Sequence, residues 1–517
     1  MASQEAPLVI VTGGDALIED VCRDLRAAGY RATFLGRHNP GLRERIERTG
    51  ARFVEGSPRS QHALWEAGIG EARALLALDH DDRINLEAVL QAREANPQVR
   101  IVMRQFNRRL ARKIERNLPD CSVISLAAHS AATYAAAAVE RSTFLGVEFP
   151  SGSRSLVAFV QQGLESATPA GARILWRDEQ AAVAFGPIEA FAESAPPLKR
   201  THGAFESLMP RIAAIVSEFD PLLRILLITG ICVFIAATIF FSIALRLNPV
   251  TAAYFVTSTM TTVCYGDIAL ADKSRLLQLT DIVLMSLGVI ISNLAIAFVA
   301  AALVRAQWNA VQGLRPIRDK GHIVVFGAGR VGTRVVDYLC DLGALITVVE
   351  LKPTPELLRR ARTREISLLT GDGTLDDTLD LCNLGEARST VVVTDSDANN
   401  LEIGFGARAR HGDIPVIMRI AEPPFAAAIR KHFEIRRAFS AAALASSVFS
   451  DLVATPSARG HVTFGGRSFH ITEHVSASSA QRDGTVVAAA RPGESPRAVR
   501  TWEDVNDDDA VLVLSER

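Results

Sequence analysis

Several features that mark common classes of protein are scarce in this chain of 517 residues. Its six cysteines are scattered and form no C-x-x-C pair, so neither a zinc site nor a disulfide framework is predicted. The formal net charge is −1, which gives no support for binding to nucleic acid. The N-terminus has no basic segment followed by an apolar one, so we expect no secretory signal and a first domain in the cytosol.

Two long apolar runs stand out against this background. Leu222–Leu245 and Leu276–Val304 both exceed the ~20 residues that a helix needs to span a bilayer. Basic residues flank the outer ends of the pair more densely than the segment between the runs. We therefore expect a multi-pass protein of the cell (inner) membrane, in contact with lipids, with both termini in the cytoplasm. No helix carries regularly spaced arginines, which argues against a voltage sensor.

The segment between the runs contains the stretch Thr261–Asp267, which reads TTVCYGD. It resembles the selectivity filter of potassium channels, TVGYGD, and Tyr254 and Phe255 stand where that family has its pair of pore-helix aromatics. The resemblance implies that backbone carbonyls and a threonine hydroxyl replace the hydration shell of a permeant K⁺. The predicted filter residues are Thr262, Val263, Cys264, Tyr265, Gly266 and Asp267.

Cys264 departs from the family pattern, because it stands where that family has its first glycine. A non-glycine residue with a left-handed backbone costs about 1–2 kcal/mol. Three interpretations stay open: a strained but selective potassium filter, a remodelled filter of a nonselective or weakly selective cation channel, and a filter that conducts poorly. The retained neighbours Thr262, Tyr265 and Gly266 favour potassium.

The second apolar run carries small and polar residues near its middle. Helical spacing predicts that some of them line a water-filled cavity, while helix–helix packing is the alternative for Ser292 and Asn293. Gly288 fits either a gating hinge or a close contact. The candidate residues for pore lining or a hinge are Gly288, Val289, Ser292, Asn293 and Ile296.

The best-defined motif lies after the second run. A strand at 321–326 leads into a G-x-G-x-x-G turn and a helix, and the next strand ends at Glu350. This order is the dinucleotide-binding fingerprint, in which phosphate meets the N–H groups at a helix N-terminus. Glu350 would accept the ribose hydroxyls, and its charge argues against NADP. The predicted nucleotide-binding residues are Gly327, Gly329, Arg330, Val331, Gly332, Glu350, Gly371, Asp372, Thr394 and Asp395.

The first part of the chain repeats this pattern with a poor phosphate loop. The strand Leu8–Thr12 ends in Gly13 and Gly14, but Asp15 follows them and the third glycine is absent. Arg37 comes at the end of the second strand, with no acid to hold a ribose. We therefore expect a structural Rossmann domain, with a different ligand in the same cleft as the alternative.

The repetition predicts an internal duplication, one copy on each side of the apolar runs. Both copies resemble the regulator-of-potassium-conductance (RCK) domain, also called the TrkA-type nucleotide-binding domain, and the C-terminal residues resemble that family's small lobe. The fold class is α/β Rossmann-like for two cytosolic domains, plus an all-α membrane pore domain with a re-entrant loop. The expected segments are a first Rossmann domain at 1–150, a β lobe and linker at 151–200, a pore domain at 210–306 (spans 222–245 and 276–304, pore helix and filter 249–267), a linker at 307–321, a second Rossmann domain at 322–455 and a C-terminal lobe at 460–517.

An acidic cluster near the C-terminus raises the question of calcium. Glu503, Asp504 and Asp507–Asp509 lie close in sequence. Calcium needs several oxygens that converge on one point, and a solvated turn explains the same composition. Ca²⁺ is therefore possible but not supported, and no structural metal site is predicted.

The parts together predict a channel without enzymatic activity. One chain supplies one pore loop, so the resemblance implies a homotetramer whose RCK domains form a gating ring, and the short linker would couple ring to pore. The predicted ligand is NAD, NADH or an adenine nucleotide (ATP or ADP), which either opens or closes a potassium channel. A membrane-anchored NAD-dependent oxidoreductase and a regulatory subunit of a potassium transporter are remote alternatives, because no substrate domain is evident and the chain has its own spans and filter.

Overall fold

The computed structural model of the chain describes residues 6–14, 17–105, 108–149, 155–164, 166–179, 181–192, 221–263, 265–312, 316–433, 435, 437–480, 484–491 and 494–516. It divides into two compact units. The first, which we call the Rossmann unit, combines Met1–Arg200 with Pro316–Arg517, and the second, the helical unit, comprises Thr201–Arg315.

A parallel six-stranded sheet forms the first copy, with strand order β3-β2-β1-β4-β5-β6. Its strands are β1 (Leu8–Thr12), β2 (Arg31–Gly36), β3 (Arg52–Glu55), β4 (Ala72–Ala77), β5 (Arg100–Arg104) and β6 (Cys121–Ile124). Its helices are α1 (Leu17–Ala27), α2 (Pro40–Arg48), α3 (Gln61–Glu66), α4 (Asp82–Ala95) and α5 (Arg108–Asn117). The apolar strands are buried on both faces, as parallel sheets covered by helices require. The Rossmann-like prediction is confirmed for this copy.

A long helix, α6 (Leu126–Val139), leads from this sheet to a small antiparallel lobe. The lobe contains β7 (Thr143–Glu148), β8 (Leu156–Gln162), β9 (Arg173–Arg177) and β10 (Ala182–Pro187), in the order β7-β8-β10-β9, followed by α7 (Ile188–Ala192).

The helical unit has three described helices: α8 (Pro221–Leu245), α9 (Pro249–Met260) and α10 (Arg275–Gln312). Windows in α8 and α10 are long and apolar enough to cross a membrane, and only 6% and 11% of their residues are buried. Because α10 continues to Gln312, the first residues of the predicted 307–321 linker are helical.

The second copy repeats the first, with strand order β13-β12-β11-β14-β15-β16. Its strands are β11 (Ile323–Phe326), β12 (Ile346–Glu350), β13 (Ser367–Thr370), β14 (Ser389–Val392), β15 (Val416–Arg419) and β16 (Arg437–Phe439). Its helices are α11 (Arg330–Asp341), α12 (Pro355–Thr363), α13 (Asp376–Leu381), α14 (Asp397–Arg410) and α15 (Pro423–His432). The short sixth strands β6 and β16 were not predicted from the sequence.

Helix α16 (Ala441–Ala454) follows and leads to the C-terminal lobe. The lobe is a five-stranded sheet with the order β17-β18-β21-β19-β20, built from β17 (Ala458–Phe464), β18 (Arg467–His474), β19 (Thr485–Ala490), β20 (Arg497–Ala498) and β21 (Ala510–Glu516).

The two copies exchange helices. Helix α6 of the first copy lies in the same hydrophobic core as β11, β12 and α11 of the second. Helix α16 of the second copy packs in the core of β1, β2 and α1 of the first. Arg388, just before β14, donates a 2.7 Å hydrogen bond from Nη2 to the carbonyl oxygen of Val139 at the end of α6. Each copy therefore depends on the other for part of its core, which the sequence analysis did not anticipate.

Candidate nucleotide site and pore segment

The glycine turn after β11 assigns a different role to each of its glycines. Gly327 has φ +89°, a left-handed conformation that glycine adopts without strain. A Cβ on Gly332 would overlap the carbonyl oxygen of Gly327, so α11 can approach the turn only because this residue has no side chain. A Cβ on Gly329 would meet nothing within 4 Å, and this open position faces the place where a phosphate reaches a helix N-terminus.

Glu350, at the end of β12, reaches back to this turn. Its Oε2 accepts a 2.7 Å hydrogen bond from the backbone N–H of Ala328, and its Oε1 accepts one of 3.1 Å from Lys352. The carboxylate is half-buried beside the open face at Gly329. It is therefore held in position next to the helix N-terminus, where a ribose diol would lie in a dinucleotide site. Arg330 is exposed at the first turn of α11, and Val331 is half-buried against the core.

The ends of β13 and β14 complete the same edge of the sheet. The N–H of Gly371 donates to the carbonyl oxygen of Glu350 at 3.2 Å, and Asp372 Oδ1 accepts bonds from both the N–H and the hydroxyl of Thr374. A Cβ on Gly327 would lie 3.1 Å from Thr394 Cα, so the loops after β11 and β14 touch. Asp395 is exposed at the same edge. The structure thus brings the ten predicted residues to the carboxyl ends of β11–β14.

Sequence reasoning missed Asn400, which shapes the loop after β14. Its buried amide accepts from the N–H of Thr394 at 3.0 Å and from the Thr394 hydroxyl at 2.6 Å, and it donates to the carbonyl oxygen of Arg419 at 2.9 Å. Asn85 makes the corresponding bonds to Asp79 and Arg104 in the first copy. The repeated asparagine in the two copies was the available signal.

The first copy lacks the equivalent carboxylate. Gly36 ends β2 and pairs with Glu55 of β3, just as Glu350 ends β12 and pairs with Thr370 of β13. Glycine therefore stands in the first copy where the second has Glu350. Gly13 has φ +152°, and Arg37 is exposed. Asp15, on which the sequence argument for a degenerate loop also rested, lies outside the described residues. A structural role for this copy stays a prediction.

The pore segment begins with a capped helix. The side chain of Asn248 accepts from the N–H of Thr251 at 2.8 Å, and Pro249 occupies the first turn of α9, both of which favour a helix start. Phe255 and Val256 of α9 pack in a cluster with Phe241 of α8 and Leu284 of α10. The pore helix α9 is thereby held between two apolar helices.

Backbone conformation beyond α9 is unusual. Thr262 has φ +62° and Gly266 has φ +79°, and Val263 and Tyr265 are exposed. The rings of Tyr254 and Tyr265 stack with centroids 6.1 Å apart. This contact links the segment after α9 to α9 itself. Cys264 lies outside the described residues.

Gly288 of α10 lies against the end of the pore helix. A Cβ there would come 2.6 Å from Met260 Cα, closer than real Cβ contacts. The other four candidates, Val289, Ser292, Asn293 and Ile296, are all exposed in the single chain. Their exposure fits a cavity or a neighbouring subunit, and their role stays a prediction.

Two side chains of the acidic cluster before β21, Asp504 and Asp509, make local hydrogen bonds and an ion pair. Asp504 accepts from the N–H groups of Arg500 and Thr501, and buried Asp509 accepts from Asn506 at 3.1 Å and lies 3.6 Å from Arg497. Among the described residues, no group of three or more acidic, histidine or cysteine side chains is arranged to hold a metal.

Comparison with known proteins agrees with this architecture. The TrkA-N domain model matches residues 9–125 and 323–441, and an ion channel model matches residues 228–305. The chain therefore carries two TrkA-N domains, one before and one after an ion-channel segment. It is a membrane protein.

Its relatives are potassium channel and potassium uptake proteins. The chain is homologous to the voltage-gated potassium channel Kch of Escherichia coli (23% identity over 33% of this chain and 42% of the relative) and to potassium channel protein 1 of Methanocaldococcus jannaschii (24% over 34% and 53%). A Trk system potassium uptake protein TrkA homolog of Pyrococcus horikoshii is 31% identical over 20% of this chain and 44% of the relative. The chain thus spans about half the length of these relatives or less.

Solved structures show the same fold. The GsuK channel superposes with a TM-score of 0.52 at 12% identity, covering 100% of this chain and 78% of that chain. The GsuK RCK domain gives 0.51 at 12% identity, covering 100% and 93%.

Proposed function

We propose that the protein is a homotetrameric potassium channel that is gated by a nucleotide bound at the second TrkA-N domain. The observation that carries the proposal is the filter-like segment 262–267 behind a capped pore helix, in a chain that also has an intact glycine turn with Glu350 beside it. The protein is not an enzyme in this proposal, and its termini are cytoplasmic at the cell (inner) membrane.

Tetramer formation follows from the pore segment. One chain supplies one loop, and a filter of this type is made by four loops around an axis. Exposed apolar side chains on α8 and α10 support a membrane setting with neighbouring subunits. In the Rossmann unit, Leu90 and Phe405 are both exposed, and each lies five residues after the matching asparagines Asn85 and Asn400.

The ligand is proposed from the chemistry of the cleft. The open Gly329, the N–H groups at the start of α11 and Glu350 fit a pyrophosphate with an unmodified ribose. One of the similar structures is the GsuK channel bound to NAD. NAD is therefore the first ligand to test, and NADH, ATP and ADP share the same diphosphate–ribose chemistry.

Coupling is proposed to run through the end of α10. The helix continues to Gln312, and from Pro316 the chain is fastened to the second domain, where Ile317 N–H donates to Leu381 O at 2.8 Å and Asn383 donates to Asp319 O at 3.0 Å. Taking a pore from ~1% to ~99% open requires about 5.5 kcal/mol of differential binding. Spread over four sites, this is between one and two kcal/mol each, within the range of a single charge-assisted hydrogen bond.

Cys264 supports a second candidate, a nonselective or weakly selective cation channel. A side chain at this filter position changes the backbone that the carbonyl ligands depend on. The regulatory-subunit alternative is less favoured, because such a subunit needs neither the apolar helices nor the pore segment.

The test is the reversal potential of the purified full-length protein in a planar bilayer, with potassium on one side and sodium on the other. We expect NAD-dependent current that reverses near the potassium equilibrium potential. Cys264→Gly is the matched control, since it restores the family residue. Reversal near zero for the natural protein, shifted toward potassium in Cys264→Gly, would establish the nonselective candidate. Absence of current in both proteins, with and without nucleotide, would refute the channel proposal.

A further inference from the structure

A carboxylate and two histidines meet where α16 leaves the second copy for the C-terminal lobe. Asp451 lies near the end of α16, and His461 and His470 are direct cross-strand partners on β17 and β18. Asp451 Oδ2 is 3.2 Å from His470 Nδ1 and 3.8 Å from His461 Nδ1. The Asp451 side chain is 3% exposed, whereas the two imidazoles are 28% and 24% exposed. The carboxylate is therefore enclosed, while protons reach the rings from solvent.

The fold does not require this cluster, because the first copy is built without it. The N-cap of α16 is Ser440 and that of α6 is Ser125, and eleven residues further on stand Asp451 and Ala136 respectively. Strands β7 and β8 contain no histidine. A buried charge is a burden to stability unless it is well paired. The second copy thus carries a charged cluster where an alanine serves the same architecture.

The hydrogen bonding of Asp451 is incomplete. Within the described residues, its buried Oδ2 and the buried Nδ1 of His461 complete no hydrogen bond of good geometry, although they are close. A neutral imidazole has one N–H, whereas the protonated ring donates from both nitrogens. Proton uptake by either ring therefore adds a donor and a positive charge beside the carboxylate.

The position of the cluster connects two parts of the Rossmann unit. On one side of α16, Val448, Phe449 and Leu452 are buried in the core of the first copy. Arg100 of β5 donates a 2.6 Å hydrogen bond from Nε to the carbonyl oxygen of Leu452. On the other side, Asp451 faces the C-terminal lobe. A change in its bonding alters how firmly this lobe is tied to the helix that fills the first domain.

The other ionisable groups around α16 are either paired or buried. From β5, Arg100 is paired with Asp120, and on the lobe Arg459 is paired with Glu473. From α6, burial lowers the pKa of His129 to about 4, and from α1 burial raises the pKa of the Cys22 thiol to about 12. Burial also lowers the pKa of His474 on β18.

Asp451 itself stays ionised near neutral pH. Burial raises its pKa, but the contacts with the two histidines outweigh burial, so the pKa lies below its usual range. The members of the cluster that can gain a proton and a positive charge are the two imidazoles.

We propose that Asp451, His461 and His470 form a proton-operated latch that fastens the C-terminal lobe to α16 when the cytosol becomes acidic. Because a protonated ring binds the carboxylate more strongly than a neutral one, the latch tightens as the pH falls and loosens as it rises. The nearer ring, His470, contributes more than His461.

The test is backbone amide exchange in β17, β18 and the last turn of α16, measured by mass spectrometry on the full-length protein in detergent. The natural protein is compared with Asp451→Asn at pH 6 and at pH 8, so that intrinsic exchange rates cancel at each pH. A coupling of one pKa unit is a tenfold change in equilibrium. The protection ratio is the protection factor of the natural protein divided by that of Asp451→Asn. We expect this ratio to be up to about tenfold larger at pH 6 than at pH 8.

Two variants and one internal control sharpen the result. His470→Gln should remove most of the pH dependence, and His461→Gln a smaller part. Asp451→Ala, which copies Ala136 of the first copy, guards against a folding defect peculiar to asparagine. Strands β7 and β8, which have no such cluster, should show no difference. A protection ratio that is equal at the two pH values, or unchanged by His470→Gln, would overturn the proposal.

Discussion

Replacing Gly329 by alanine should separate the proposed nucleotide site from the fold that carries it. Gly329 has φ −67° and ψ −159°, which alanine also adopts, and its added Cβ would meet no atom within 4 Å. Because Gly329 is also the N-cap of α11, where alanine is less favourable than glycine, the free energy of unfolding should fall by about 1 kcal/mol or less. The same methyl group stands where a pyrophosphate would approach the N–H groups of α11.

The effect on binding follows from the hydrogen bond that the methyl group prevents. Loss of one bond to a charged group costs about 1.5–3 kcal/mol, which corresponds to a rise in the Kd for NAD of roughly 10- to 150-fold. Binding is measured by titration calorimetry and stability by thermal melting, both on the full-length protein in detergent.

Two further glycines serve as matched controls. In Gly332→Ala the added Cβ would overlap the Gly327 carbonyl oxygen and lie 2.9 Å from its carbon, so stability and binding should fall together. In Gly14→Ala, in the first copy, the Cβ would meet nothing within 4 Å, so neither should change. If Gly329→Ala stays folded and binds NAD as tightly as the natural protein, phosphate does not lie on this turn and the reasoning is refuted.

Three other substitutions test the pore segment and the exchanged helices. Gly288→Ala should lower the yield of intact tetramer on size-exclusion chromatography, because its Cβ would lie 2.6 Å from Met260 Cα, whereas Gly230→Ala, with 3.3 Å to its nearest atom, should have little effect. Asn248→Ala removes the cap of α9 and should lower the free energy of unfolding by about 1 kcal/mol in thermal melts, whereas Asn248→Asp should be close to the natural protein. Equal melting of the natural protein and both variants would contradict the capping role. The pKa of His129 is lowered from 6.5 to about 4 because burial disfavours the cation. The unfolded chain therefore takes up this proton first, and stability should decline by roughly 3 kcal/mol as pH falls through that window. His129→Gln should flatten the decline, and an unchanged pH profile would show that the ring is not held neutral.

Local motifs made much of this architecture predictable. The length of an apolar run reports a membrane span, and a strand that ends in G-x-G-x-x-G before a helix reports a dinucleotide-type turn, because each property is confined to a few neighbouring residues. The duplication was also visible, since strands and helices recur in the same order in the two copies. The sixth strands escaped because β6 and β16 have only four and three residues, too few to show periodicity.

Long-range packing was beyond the reach of such patterns. Helices α6 and α16 are alanine-rich and buried around most of their surface, so no apolar stripe indicates which sheet each one covers. Their exchange between the copies depends on contacts about 300 residues apart, such as Tyr134 Oη donating to Phe439 O at 3.0 Å. Two further contacts, Gly288 with Met260 and Asp451 with His470, also join residues that no local sequence pattern connects. Chain neighbours set the type of each element, whereas the partner of each buried face is set by the shape and burial of residues remote in sequence.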